Sequence, residues 1–225
     1  MNTYLSVTAH PDDEVLGFGG SSYYLSEKGH SIVNCILSGR VDARAKRPEL
    51  IDLNHNIDRA QKIIGANKAI LGDFPNIKFN TVPHLEIVQF IENVIEIVEP
   101  DYIITHHPSD LNNDHYHTSK ACQAAARLFQ RKPLRKLKGL YFMEILSSTD
   151  WAFPTEIPFL PNTFIPIGKK GLEKKISALN EYKGVMRPYP HSRSSESLTS
   201  LATIRGSQVG REYCEGFQTA MNIID

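Results

Sequence analysis

Up to residue 146 the chain alternates between short apolar runs of strand length and longer segments with helical spacing. Residues 3–9 (TYLSVTA), 31–37 (SIVNCIL), 68–71, 102–105 and 139–146 read as strands. Residues 14–28, 49–64, 84–98 and 114 to about 130 read as helices. The pattern is plainest at 84–98, where Ile87, Val88, Phe90, Ile91, Val94, Ile95 and Val98 share one broad face before Pro100. At 49–64, Leu50, Leu53, Ile57, Ala60, Ile63 and Ile64 recur in the same way, and Gly65 supplies a stop. Strand–helix–strand units of this kind predict an α/β fold, a mainly parallel sheet flanked by helices. The remaining third is less regular. It holds a Pro-rich stretch (154–166), helix candidates at 168–182 and 195–206, the loop RPYPHSRS (187–194) and a final apolar run. No repeat or linker divides the chain, so one domain over residues 1–225 is expected.

Charge and cysteine usage narrow the function classes. Basic and acidic side chains number 25 each, which gives no footprint for nucleic acid. No apolar stretch is long enough for a transmembrane segment, and the N-terminus lacks the pattern of a secretory signal. Cys35, Cys122 and Cys214 are odd in number and widely spaced, which speaks against a disulfide framework. A soluble cytoplasmic protein with a small-molecule partner is the expectation; a homo-oligomer is compatible with it.

The stretch AHPDDEVLGFGG closes the first strand and opens a helix. Ligands of open α/β sheets bind just beyond such strand ends. Capping of the helix accounts for Asp12 or Asp13 alone, but not for a histidine and two carboxylates together. Imidazole nitrogen and carboxylate oxygen are ligands for zinc or another first-row divalent metal. His10 and Asp13 can reach one ion, leaving Asp12 facing its open position. Gly17, Gly19 and Gly20 resemble half of a dinucleotide fingerprint, but the acidic cluster occupies the place of the pyrophosphate. Close packing of helix on strand suits these glycines better.

The stretch THHPSDLNNDHYHTSKA again follows a strand and opens a helix. Both loops emerge on the same sheet edge, so His115 can supply a third ligand. Asp114 can cap the new helix or orient a histidine, and Asp110 can do likewise. His106, His107 and His117 each read as structural or solvent-facing. Three protein ligands and an open position describe a catalytic zinc site, with Asp12 as general base for the water.

At these two stretches the chain resembles the LmbE/PIG-L-like de-N-acetylase family, zinc hydrolases that remove N-acetyl groups mostly from N-acetylglucosamine-containing substrates. The motif His10-Pro11-Asp12-Asp13-Glu14 is intact, and the second motif reads Pro108 to His115. ILSGRVDAR, DFPNIKFNTVP and RPYPHSRS…RGSQVGREYCEGF extend the likeness. The resemblance implies a Rossmann-like three-layer sandwich, zinc on His10, Asp13 and His115, Asp12 as base and Arg44 on the substrate sugar. It implies an N-acetylated sugar or glycoconjugate as substrate. Asn112 stands where several members carry a histidine; an amide donates a hydrogen bond to an oxyanion but carries no proton at neutral pH. His191 is a candidate for the missing proton role, beside the plainer reading of a surface loop histidine. Asn76 falls near a substrate-contacting aspartate of some relatives.

Two other readings compete. One is a nucleotide-binding module supported by Gly17, Gly19 and Gly20; the other is a metal-binding homologue in which Asn112 marks lost catalysis. No G-x-S-x-G elbow accompanies the serines of 191–197. Trp151, Phe153 and Phe159 can line a sugar or acyl pocket, or pack in the ordinary way.

Overall fold

The computed structural model describes residues 1–39, 50–153 and 157–224. Among these residues seven strands form one sheet: β1 (Thr3–Thr8), β2 (Ser31–Ile36), β3 (Ile70–Leu71), β4 (Tyr102–His106), β5 (Gly139–Met143), β6 (Thr163–Pro166) and β7 (Cys214–Asn222). Their order is β3-β2-β1-β4-β5-β7-β6. The first five are parallel, and β7 and β6 are added antiparallel. The connecting helices are α1 (Asp13–Glu27), α2 (Leu50–Ile63), α3 (His84–Val98), α4 (Asn113–Ala125), α5 (Gly168–Glu181) and α6 (Ser195–Ser207).

The central strands alternate between two buried faces, as their period of two requires. Leu5, Val7, Val33, Cys35 and Ile103 meet Ile87, Ile91, Val94 and Ile95 of α3 and Ala121, Cys122 and Ala125 of α4. Ile32, Ile36 and Ile104 face the other way. They join Val15, Leu16 and Phe18 of α1, Leu53 and Ile57 of α2 and Ala178 and Leu179 of α5. The result is a three-layer sandwich with a mainly parallel sheet. A Cβ at Gly17 would lie 2.4 Å from Met143 Sδ and 2.7 Å from Ile145 Cδ1, so this glycine brings α1 down onto the sheet.

The strand order reverses between β1 and β4, the switch point at which open α/β sheets bind ligands. His10 follows β1 and the His106–His115 stretch follows β4.

The last third departs from its pattern. The Pro-rich stretch contains an edge strand, β6, where Pro166 is tolerated. The final apolar run is the nine-residue strand β7. From β7 the buried Glu215 accepts the N–H groups of Gly20 (3.1 Å) and Ser21 (2.8 Å) in α1, and pairs with Lys175 of α5 at 2.7 Å. Helix α4 ends at Ala125, and a 3-10 turn at Leu128–Gln130 carries the chain on toward Pro133, which disfavours continued helix. Among the described residues no helix is long and apolar enough to cross a membrane.

Candidate metal and catalytic site

The site is built on the Asp13 carboxylate. Its Oδ2 accepts the His10 N–H at 2.9 Å, which closes the turn after β1. The same oxygen lies 3.2 Å from His10 Nδ1, 3.1 Å from His115 Nε2 and 3.6 Å from His106 Nε2. His10, Asp13 and His115 thus turn one ligand atom each toward a common point, and all three are buried.

The far side of each ligand ring is held by another carboxylate. His10 Nε2 bonds Asp114 Oδ2 at 3.0 Å, and His115 Nδ1 lies 3.1 Å from Asp110 Oδ1. Such partners orient each ring, with His10 Nδ1 and His115 Nε2 turned toward the common point. Asp110 is itself clasped by the hydroxyls of Ser148 and Thr149. Asp114 also accepts the N–H groups of Ile77 (2.6 Å) and Phe79 (3.0 Å), and so ties the 73–83 loop to the site.

The electrostatics favour a cation here. Burial opposes charge on His115, but the Asp13 and Asp110 carboxylates outweigh it and raise its pKa to about 10. Burial would raise Asp13, yet His115 and His10 hold it well below the usual carboxylate range. His115 Nε2 is buried without a hydrogen bond, although it lies beside Asp13. Two imidazole nitrogens and a carboxylate oxygen are the donor set of zinc and its first-row neighbours, so these residues fit a divalent metal.

His106 and His107 are buried. His106 Nε2 accepts the Ala9 N–H at 2.9 Å and its ring stacks on His115 at 3.8 Å. Burial, followed by His115, pushes the His106 pKa down to about 3 and keeps the ring neutral. His107 packs edge-on against Phe142 and Phe159. His117 lies half-buried on α4 beside Tyr116.

Asp12 occupies the N-cap position of α1 at φ 106°, a left-handed conformation that costs a non-glycine residue on the order of 1–3 kcal/mol. Its side chain makes no capping bond, and its backbone carbonyl receives Val15 N–H and Leu16 N–H. Capping by an aspartate side chain is therefore not what Asp12 does. Its carboxylate meets Arg193 Nη1 at 3.3 Å. Asn112, rather than Asp114, caps α4: its Oδ1 accepts the Asp114 N–H at 2.9 Å, which leaves its Nδ2 side as a donor. Asn76 is buried, and neither of its side-chain polar atoms has a hydrogen bond. His191 is exposed, and its Nδ1 accepts the Arg193 N–H at 3.0 Å. Arg44 lies outside the described residues, as does the basic segment around it. Trp151 and Phe153 are 53% and 62% exposed and meet edge-on, so neither belongs to the core.

Sequence reasoning passed over Arg193, Ser148 and Thr149. Arg193 also donates from Nε to Leu146 O and Ser147 Oγ, joining the 187–194 loop to the end of β5 and to Asp12. The only signal was its place in RPYPHSRS, one turn from the histidine that drew attention.

Residues 5–126, more than half of the chain, match the PIG-L family, described as GlcNAc-PI de-N-acetylase. The chain belongs to this family. It is 23% identical over 187 residues to the uncharacterized deacetylase YaiS of Escherichia coli (strain K12), covering 80% of this chain and 89% of that protein. Among solved structures it resembles GalB, the 4-carboxy-2-hydroxymuconate hydratase of Pseudomonas putida KT2440. That likeness has a TM-score of 0.79 and 20% identity, over 100% of this chain and 98% of GalB. It also resembles the N,N'-diacetylchitobiose deacetylase of Pyrococcus horikoshii, with a TM-score of 0.76 and 17% identity, over 97% of this chain and 83% of that one. A fold shared by a hydratase and a deacetylase leaves the choice of reaction to the family and the site.

Proposed function

We propose that this PIG-L family member is a metal-dependent amide hydrolase that removes an N-acetyl group from an amino sugar or glycoconjugate. One observation carries the reading: two histidines, each braced from behind by a carboxylate, face the Asp13 oxygen, with Asp12 on the adjoining turn. His10, Asp13 and His115 are the proposed holders of a divalent metal, zinc first. When bound, that metal supplies Lewis-acid polarisation of a water and of the acetyl carbonyl.

The other residues have proton and positioning roles. Asp12 takes a proton from the attacking water, whose oxygen bonds to the acetyl carbon. The carbon–nitrogen bond breaks, acetate leaves, and the departing nitrogen takes a proton to become the free amine. Asp12 returns that proton, or His191 on the neighbouring loop delivers it. The Asn112 amide is a candidate donor to the developing oxyanion, and its cap bond leaves Nδ2 for that purpose. Arg193 steadies the Asp12 carboxylate. Asn76, buried with unsatisfied donor and acceptor, is suited to a sugar hydroxyl, and Arg44 is proposed to join it on the substrate.

The test is zinc content together with acetate release from N-acetylglucosamine derivatives, with and without chelator. About one zinc per chain and chelator-sensitive acetate release are expected. Asp12→Asn is expected to lose roughly 100- to 10,000-fold in turnover while keeping its metal. Near-normal turnover by Asp12→Asn would remove Asp12 as base. A folded, zinc-saturated protein that instead hydrated an enol acid, as the name of GalB suggests, would overturn the amide reading.

A further inference from the structure

A line of buried polar side chains crosses the apolar layer beneath α1, α2 and α5 and ends at the site. Ser6 Oγ of β1 donates to Asn34 Oδ1 of β2, and Asn34 Nδ2 donates to Gln61 Oε1 of α2. Gln61 Nε2 donates to Glu14 Oε1 at 3.1 Å, and the Tyr182 hydroxyl donates to the same oxygen. The second oxygen, Glu14 Oε2, accepts the backbone N–H of Asp12 at 3.0 Å. Every residue of the line is buried. They lie in the layer formed by Ile32, Ile36, Leu53 and Ile57. Polar groups here carry a desolvation cost that a wholly apolar layer would avoid, so the line specifies a geometry rather than adding cohesion.

That geometry is at Asp12. Its φ of 106° is disfavoured for any residue with a Cβ and persists only where the surroundings over-determine it. Glu14 holds the peptide on the N–H side of Asp12, while Val15 N–H and Leu16 N–H hold its carbonyl. We propose that Glu14 is a positioning residue: braced by Tyr182 and Gln61, it locks the Asp12 backbone so that the Asp12 carboxylate is presented to the reacting water beside His10, Asp13 and His115. The proposal rests on the reading of Asp12 as the base. Three donors converge on Glu14, whose two carboxyl oxygens face opposite sides. A glutamine offers one acceptor oxygen, and alanine none.

The experiment compares wild type with Glu14→Ala, Glu14→Gln and Tyr182→Phe. It measures kcat and KM for acetate release from N-acetylglucosamine, zinc stoichiometry, and hydrogen exchange of the Asp12 amide by NMR without substrate. Glu14→Ala is expected to lose about 100-fold in kcat, the scale of a misplacement near 1 Å, with KM and zinc content little changed. The Asp12 amide should exchange faster, and Glu14→Gln should recover part of both effects. Unchanged kcat and exchange in Glu14→Ala would overturn the proposal. So would a loss of zinc and rise of KM that accompany the kcat loss without recovery in Glu14→Gln. If Glu14→Ala fails to fold, Tyr182→Phe decides: faster Asp12 exchange and lower kcat support the proposal, and no change in either overturns it. The exchange measurement does not depend on the reaction. If Asp12→Asn kept its turnover, or wild type released no acetate, the base assignment or the amide reading would fall. Exchange would still show whether Glu14 holds Asp12.

Discussion

Replacing Asp114 separates its structural work from its part in the proposed metal site. The residue is fully buried, and its carboxylate collects three donors from two loops. Oδ2 takes Ile77 N–H and His10 Nε2, and Oδ1 takes Phe79 N–H. Alanine strands all three donors. At about 1–3 kcal/mol for each buried group left unmade, the expected cost is roughly 3–9 kcal/mol, comparable with the whole stability of many domains. Asparagine can place its oxygen where Oδ2 was, keeping Ile77 and His10, and then turns its NH2 toward the Phe79 donor. One unmet donor predicts about 1–3 kcal/mol. Urea denaturation in the presence of chelator measures this step without the metal, as a lower midpoint at unchanged slope. Zinc competition on the same proteins should show about 10- to 100-fold weaker binding for Asp114→Asn, because His10 loses a charged partner behind its ring. Equal stability costs for the two variants, or an alanine cost below about 1 kcal/mol, would refute the accounting of donors.

Three further outcomes are expected. Burial holds the Glu14 carboxyl at about 8 against an ordinary 4.5, so the native state keeps a proton that the unfolded chain releases. Stability should therefore fall as pH rises from about 4.5 to 8, by up to roughly 5 kcal/mol, and Glu14→Gln should flatten that slope in pH-dependent urea melts. Gly17→Ala must push aside Met143 and Ile145 and should cost about 1–2 kcal/mol after its gain in helix propensity; a raised Tm would contradict the close packing. Zinc at about 100 times its Kd should add about 2.7 kcal/mol, or roughly 5–11 °C in Tm, and Asp13→Ala should abolish that response.

The parallel half of the sheet was legible because its strands are buried on both faces and its helices carry long apolar stripes, α3 above all. The grouping of His10, Asp13 and His115 followed from topology, since loops after β1 and β4 must leave the same edge. Edge strands carry a weaker signal: β6 holds only partly buried residues and ends in a proline, and β7 loses its burial halfway along. Arg193 was hidden for another reason. Its partner lies 181 residues away, and no local pattern announces which side chain of a loop turns inward. The brace at Glu14 was hidden inside a motif whose other members drew the chemical argument. Asn34 and Gln61 stand on a strand face and a helix face that otherwise read as plain core.

The reach of Glu215 back to α1 has a consequence for how the protein matures at the ribosome. Residues 10–14 are made well before Glu215, yet the helix that begins there is gripped by a carboxylate synthesised about two hundred residues later. A nascent chain would hold the turn at His10–Asp13 before it holds the clamp, and the first helix should gain its native protection from exchange only when β7 has emerged and docked. Removal of β7 should then be felt in α1, as a loosened helix.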